Sequence, residues 1–417
     1  MANSTKPEFL DIEKSTACPD GSVYVHAVEP MRERKRLRVL HIVGSMDPGG
    51  VETWLLNVLK YIDRDLLQLH FCACGTGAGL YSREVARLGG IVVRCPKRVN
   101  LWSFRRSFRK MLREGRYDVV HSHVYLFSGL LLRWAKDEGI PIRIAHCHTC
   151  RDDKPDTQAR RFYRHLMKAW INRYATCGLA TSEPAAVELF GENWNSEGRF
   201  RVLHCGIDLS AFDEPIDRNA IRKEVGLPLD APVVGHVANF LGTKNHAFII
   251  EIVAQVLRTN PEIHFLFVGD GPLRPRIQAE ARTRGLSNHM HFVGTRTDVP
   301  RLMRGAMDLF LFPSINEGFG VSLLEAQAAG LSCLVSDTIP REVSCFRGLV
   351  EFLPLSAGID YWVRQLISRL NLSQSRISSP DDDSRTNISV QQSVRDLTDL
   401  YFTARTQRIP QTSERHV

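Results

Sequence analysis

The chain has 417 residues, enough for two or more domains of about 100–200 residues each, and its share of hydrophobic and charged residues is that of a globular protein. No run reaches the ~18–20 uninterrupted apolar residues of a membrane span, and the first thirty residues lack a basic stretch followed by an apolar one, so neither a spanning helix nor a secretory signal is expected. A net charge of +8, with a pI of about 9.0, leaves nucleic acid, anionic lipid and phosphorylated small ligands open beside plain solubility. The ten cysteines (Cys18, Cys72, Cys74, Cys95, Cys147, Cys150, Cys177, Cys205, Cys333, Cys345) sit mostly inside apolar runs without framework spacing. They read as reduced thiols of a cytoplasmic protein.

Residues 1–30 are polar and aperiodic and are expected to be a weakly ordered extension. Met31, just before the first strong strand, is an alternative start for a shorter product. From Arg38 to His204 strand and helix patterns alternate. Strands are expected at Arg38–Val43, Leu67–Cys74, Ile91–Arg94, Asp118–His121, Ile142–His146, Thr176–Thr181 and Arg201–His204, with helices between them. Such alternation predicts a parallel sheet covered on both faces. Within this half, Asp47-Pro48-Gly49-Gly50-Val51-Glu52 opens the first helix, and Asp118 to His123 ends a strand. His121 lies inside that strand and reads as structural. His146-Cys147-His148-Thr149-Cys150 packs two imidazoles and two thiols into five residues. A cluster that tight does not easily wrap a tetrahedral ion, and no second C-x2-C pair exists, so no metal site is expected. Leu101 to Arg116 is a basic amphipathic helix with Leu101, Phe104, Phe108 and Met111 on one face. It suits either core packing or an anionic bilayer.

Residues Gly206 to Ala231, rich in Asp and Pro, break the rhythm and read as a linker. Alternation restarts at Pro232–Ala238. The expected organisation is an N-terminal domain over 31–206, a linker over 207–231, a C-terminal domain over 232–386, a helix over 387–405 and a tail over 406–417. In the second half the turn Asn239 to Asn245 carries Lys244 in front of a helix, where a lysine can meet a phosphate as a point charge. Gly269-Asp270-Gly271-Pro272 follows a strand but is not G-x-G-x-x-G, so it does not argue for a dinucleotide. Asp308 to Ser336 reads as one βαβ unit whose turn holds Glu317 and whose helix holds Glu325. A Gly-rich turn opening a helix offers free N–H groups and a positive dipole end to a phosphate, while carboxylates beside it suit sugar hydroxyls. Two such sheets in sequence place two sets of strand ends at a common cleft, as a two-substrate reaction requires.

With Gly318, Phe319 and Gly320, the Glu317/Glu325 pair has the form E-G-F-G-x-x-x-x-E. Over roughly Arg38 to Val343 the sequence resembles the retaining GT-B glycosyltransferases of family 4. That resemblance implies an α/β fold of two doubly wound, Rossmann-like domains facing a cleft, with the C-terminal helix crossing back to the first domain. It implies that Glu317 faces the donor sugar, that Glu325 holds the ribose, and that Gly318 to Val321 (Gly318, Phe319, Gly320, Val321) meet the donor through backbone N–H groups. Lys244 matches a cation on the donor diphosphate. Asn239 stands where the family usually has an arginine, and Arg274 or Arg296 is a candidate replacement. Gly269 and Gly271 match a turn beside the nucleotide, and Thr295 a loop at the base. Gly50 would approach the donor phosphate. Gly49, His148 and Thr149 would border the acceptor. His123 would lie near the reacting sugar and join Glu317 and Lys244 as catalytic. The expected activity is hexosyl transfer from a UDP- or GDP-linked sugar to a glycan or lipid-linked hydroxyl in cell-envelope or exopolysaccharide synthesis. No cofactor, metal or nucleic acid is implied, and an anionic membrane surface is an open partner. A non-catalytic sugar-nucleotide binder and a nucleotide-sugar epimerase are the rival readings.

Overall fold

The computed structural model describes residues 36–74, 79–94, 100–196, 198–372 and 388–406. The 1–30 extension, Met31, Cys18, Cys95, residues 373–386 of the last loop and 407–417 of the tail lie outside them. Among the described residues the apolar runs form two all-parallel sheets. The first runs β3-β2-β1-β4-β5-β6-β7, with β1 Leu37–Val43, β2 Leu67–Ala73, β3 Ile91–Arg94, β4 Val119–Ser122, β5 Ile142–Cys147, β6 Cys177–Ala180 and β7 Phe200–Val202. The second runs β10-β9-β8-β11-β12-β13, with β8 Val233–Val237, β9 His264–Val268, β10 Met290–Gly294, β11 Leu309–Phe312, β12 Ser332–Ser336 and β13 Val350–Leu353. Central strands such as β1, β4, β5 and β11 are buried on both faces, which explains their near-continuous apolar sequences.

Strand order reverses between β1 and β4 and again between β8 and β11. Loops leaving neighbouring strands diverge at such a reversal, so each sheet opens a crevice at its carboxyl edge. The linker is held to the second sheet by Asp308, the residue just before β11. Its carboxylate takes Arg218 Nη2 and Arg222 Nη2, each at 2.7 Å, and the backbone N–H of Val233 at 2.9 Å. Arg218 and Arg222 sit on a helix, Arg218–Glu224, whose N-cap is Asp217.

The last helix, Val390–Thr406, returns to the first sheet. Gly206 N donates to Ser393 Oγ at 3.0 Å, and Ile207 bridges Ser389 in parallel. Tyr401, fully buried, has its hydroxyl 2.8 Å from His121 Nδ1 in β4. Leu397 and Leu400 are buried with it, and each contributes ~1.5–3 kcal/mol by leaving water.

The basic helix differs from its sequence reading. Over Leu101–Gly115 the packed face is Phe104, Phe108 and Leu112, while Leu101 is 61% exposed and Trp102 71%. Leu101 is the first residue of the helix and is turned to solvent. Arg109 and Arg113 are tied to Glu138 rather than free for an anionic surface. Among the described residues Cys147, Cys150, Cys177, Cys205, Cys333 and Cys345 are free thiols. Among the described residues no helix is long and apolar enough to cross a membrane.

Candidate active site

A cavity of about 570 Å³ lies where the carboxyl edges of the two sheets meet. Of the residues singled out from sequence, Gly49, Gly50, His148, Asn239, Lys244, Gly269, Thr295, Glu317, Gly318, Phe319, Gly320, Val321 and Glu325 line it. Gly271, Thr149 and His123 do not. Two helices begin on its walls, Gly50–Tyr61 from the first half and Val321–Ala328 from the second, and neither has a side-chain cap. Their first N–H groups and positive dipole ends therefore face one space. Gly320, the N-cap of the second, has φ +90°, a left-handed backbone that glycine adopts without strain.

The strand-end turns of the second half are stapled together. Ile315 N donates to Thr243 O at 2.7 Å, and Asn245 Nδ2 to Pro313 O at 3.1 Å. This brings Lys244 Nζ to 2.5 Å from Glu317 Oε1, with side-chain exposures of 20% and 10%. Glu325, one helix further in, is pushed up to about 7 by burial. Glu52 is raised to about 7 by the same cause, with Asp47 adding to it, but its carboxylate lies against Gly49 rather than on the cavity wall.

The glycine turn after β9 is a packing feature as much as a ligand surface. A Cβ on Gly269 would lie 2.1 Å from Ala238 O, and one on Gly271 would lie 2.8 Å from Phe240 N. Gly271 therefore supports the turn from behind. Neither replacement cation for position 239 is free. Arg274 Nη1 is held by Asp270 at 2.6 Å and is off the cavity wall. Arg296 is on the wall, but it is paired with Asp298 and Glu224. Lys244, paired with the single carboxylate of Glu317, and the two helix ends line the same wall as Asn239, whereas Arg296 and Arg301 there share Glu224 and Asp298.

Contacts across the two halves are the part that sequence reading missed. Gly318 O accepts Ser182 Oγ at 2.6 Å, and a Cβ on Gly318 would sit 2.1 Å from His148 O. Buried Asn316 donates to Thr149 Oγ1 at 3.2 Å and to Asp153 Oδ1 at 3.1 Å. Thr149 therefore serves the seam between the halves, not the wall. Phe319 stacks on His204 with ring centroids 4.8 Å apart. Asn316 immediately precedes Glu317, and that adjacency was the available signal.

His123 is placed behind His148. His123 Nδ1 is 2.9 Å from His148 Nε2, and His123 Nε2 is 3.0 Å from His41 Nδ1. A second pair, His121 and His146, lies alongside, with His121 Nε2 3.2 Å from His146 Nδ1. A histidine inside the apolar run of β1, His41, was the sign of this cluster. Two trios, His41/His121/His123 and His123/His146/His148, bring ring nitrogens within 4.8 Å of one another, a metal-capable arrangement that the sequence spacing alone did not suggest. In the free protein most of those nitrogens already bond one another.

Two doubly wound α/β halves sharing a cleft between their strand ends make up the GT-B glycosyltransferase arrangement. The chain belongs to glycosyltransferase family 4: residues 48–211 match Glycosyltransferase Family 4, and residues 217–345 match Glycosyl transferases group 1. It is 33% identical over 334 residues to the putative glycosyltransferase EpsF of Bacillus subtilis (strain 168), covering 79% of this chain and 86% of that one. It is 28% identical over 240 residues to the UDP-Gal:alpha-D-GlcNAc-diphosphoundecaprenol alpha-1,3-galactosyltransferase of Escherichia coli, covering 55% and 60%. Among solved structures, Anabaena HepE in complex with UDP and glucose superposes with a TM-score of 0.65 at 18% identity, over 89% of this chain and 98% of that one.

Proposed function

We propose that this protein transfers a hexosyl unit from a nucleoside diphosphate sugar to an acceptor hydroxyl with retention of anomeric configuration, in cell-envelope or exopolysaccharide synthesis. One observation carries the reading. Two uncapped helix N-termini, a lysine and two carboxylates converge on a single cavity that spans both halves. The helix ends and Lys244 suit a diphosphate, and the carboxylates suit sugar hydroxyls. Glu325 accepts from the ribose, Glu317 from the hexose, and the N–H groups of Gly318 to Val321 from the second half meet the phosphates. Gly50 reaches the same phosphates from the first half. Thr295 lies at the base, and Gly49 and His148 border the acceptor.

In the reaction, the bond from the anomeric carbon to the diphosphate oxygen breaks. The acceptor oxygen bonds that carbon on the same face, and the acceptor proton passes to the departing phosphate oxygen. Lys244 and the two dipole ends stabilise the charge that grows on the leaving group. Glu317 and the sugar-facing wall hold the oxocarbenium-like carbon. For Lys244 to reach a phosphate its 2.5 Å pair with Glu317 must open, so donor binding exchanges one ionic partner for another. UDP is the favoured carrier, since the Escherichia coli relative's name specifies UDP-Gal and HepE is seen with UDP. A lipid-linked diphosphate sugar is the favoured acceptor on the same relative's name. Such an acceptor would bring the first half to an anionic membrane, where the exposed Leu101 and Trp102 stand beside Arg105 and Arg106.

The test is incubation with UDP- and GDP-hexoses plus an undecaprenyl-diphosphate-linked sugar, with the product's anomeric coupling read by NMR. A single α-linked product from an α-linked donor supports the reading. Donor binding without turnover would leave a sugar-nucleotide binder, and recovery of an epimerised donor would leave an epimerase.

A further inference from the structure

The histidines behind the cavity form an ordered chain whose sense can be worked out from its sealed end. It runs His41 Nδ1 to His123 Nε2 at 3.0 Å, then His123 Nδ1 to His148 Nε2 at 2.9 Å. His148 is the member that lines the cavity, and its Nδ1 is the ring nitrogen left over. At the other end, His41 is fully buried, stacked on Phe71, and its Nε2 has no hydrogen-bond partner.

A chain of neutral imidazoles can satisfy both N···N contacts in only two ways, because each ring carries one N–H and one lone pair. In one, every proton sits on Nδ1, so each ring donates toward the cavity and His41 Nε2 is a bare acceptor. In the other, every proton sits on Nε2, each ring donates away from the cavity, and His41 Nε2–H is a buried donor with nothing to receive it. Any mixed arrangement sets two N–H groups or two lone pairs against each other. Orphaned buried N–H groups are rarer than under-used acceptors, so the first arrangement is favoured. Burial supports neutrality throughout. It pulls His41 and His148 down to about 3 and His123 well below the ordinary imidazole range.

We propose that His41 and His123 are positioning residues that fix His148 as a neutral Nδ1–H donor toward the cavity, where it would give a hydrogen bond to a substrate oxygen. The proposal rests on the glycosyltransferase reading for the identity of that oxygen, a sugar or acceptor hydroxyl or a phosphate. The tautomer itself does not depend on that reading. It assigns His148 a role as a donor and removes it as the general base for the acceptor hydroxyl. It also gives His41, six residues before the Asp47–Glu52 turn and inside β1, a defined part in the site.

Long-range proton–nitrogen NMR on protein labelled at histidine nitrogens reads the tautomer directly, with His148→Gln supplying the assignment. The expected result is an Nδ1–H signature for His148. His41→Leu removes the donor to His123 Nε2, so both tautomers of His148 should appear, and kcat should fall by about fivefold with little change in donor KM. His41→Gln, whose amide N–H can take the place of the lost donor, should restore the single tautomer and most of kcat. An Nε2–H signature in the unaltered protein would overturn the proposal. So would equal loss in the Leu and Gln variants, which marks a merely structural histidine, or a stoichiometric transition metal in the purified protein, which would claim the same nitrogens. If no substrate turns over, the NMR result still decides the tautomer, and the failure falls on the transfer reading alone.

Discussion

Glu325 offers a prediction whose size follows from its surroundings. Burial raises its carboxyl to about 7, so in the free protein it is largely protonated at pH 6 and largely ionised at pH 8. A ribose diol donates hydrogen bonds, and an ionised carboxylate accepts them more strongly than a neutral acid. The donor should therefore bind the ionised form and lower the pKa on binding. Apparent affinity then scales with the ionised fraction, which is ~0.09 at pH 6 and ~0.9 at pH 8 for a group at 7, so the donor should bind about 10-fold tighter at the higher pH, or ~1.4 kcal/mol. UDP-glucose suits the titration because its diphosphate diester stays ionised across the range. Isothermal calorimetry in two buffers of different protonation enthalpy should also detect proton release near pH 6 and little at pH 8. In Glu325→Gln the slope should flatten to under about twofold, with affinity at pH 8 falling toward the pH 6 value of the unaltered protein. Glu52 shares the raised pKa but lies off the cavity wall, so it should not restore the slope. Affinity that is flat between pH 6 and 8, or a slope retained in the Gln variant, would refute the assignment of Glu325 to the ribose. The same shift acts on stability with the opposite sense. The folded chain keeps a proton that the unfolded chain releases near the ordinary carboxylate value, so rising pH costs stability between that value and about 7.

Lys244→Met should lower kcat/KM by about 100-fold or more, because the leaving diphosphate loses its cation. It should also lower stability by ~1–3 kcal/mol, since Glu317, only 10% exposed, loses its partner; a denaturant melt alongside the kinetics separates the two effects. Gly318→Ala should force the halves apart, because the new Cβ would lie 2.1 Å from His148 O, a backbone atom that cannot swing away. A variant with unchanged melting temperature and unchanged turnover would show that this seam is not rigid. At low salt the protein should sediment with phosphatidylglycerol vesicles, and Trp102→Ser combined with Arg106→Ala should weaken that several-fold, since Trp102 is 71% exposed with Arg106 against its ring. Absence of sedimentation in the unaltered protein would remove the membrane surface as a partner.

The strands were readable because each is a short apolar run between turn residues, and periodicity needs only local sequence. The same holds for the turn that carries Glu317 and the one that carries Lys244, where glycine and the following helix are both local signals. Which member of a strand-end loop faces the cavity is not local. His123 and His148 occupy equivalent places after β4 and β5, yet His148 lines the cavity and His123 lies behind it, held between His148 and His41. Choosing between them requires the distance between the two halves, which is set by the approach of Gly318 to His148 O. Arg274 and Arg296 failed as replacement cations for a related reason. Asp270, four residues before Arg274, and Asp298, two after Arg296, are local partners, but Glu224 is 72 residues from Arg296 and carries no sequence mark of the pairing.

The seam and the site turn out to share one segment. Asn316 bonds the first half through Thr149 and Asp153, Glu317 pairs with Lys244 in the second, and Gly318 O accepts Ser182 from the first again. Three consecutive residues thus alternate between holding the halves together and facing the cavity. A shift of one half against the other must therefore move Glu317 relative to His148, because Gly318 sits against the His148 carbonyl of the first half while Glu317 is anchored to Lys244 in the second. Under the proposed function, opening the Lys244–Glu317 pair and loosening this seam would be coupled through a single peptide turn. That coupling gives the glycine at 318 a mechanical reason for its place in the motif, beside the N–H group that it presents.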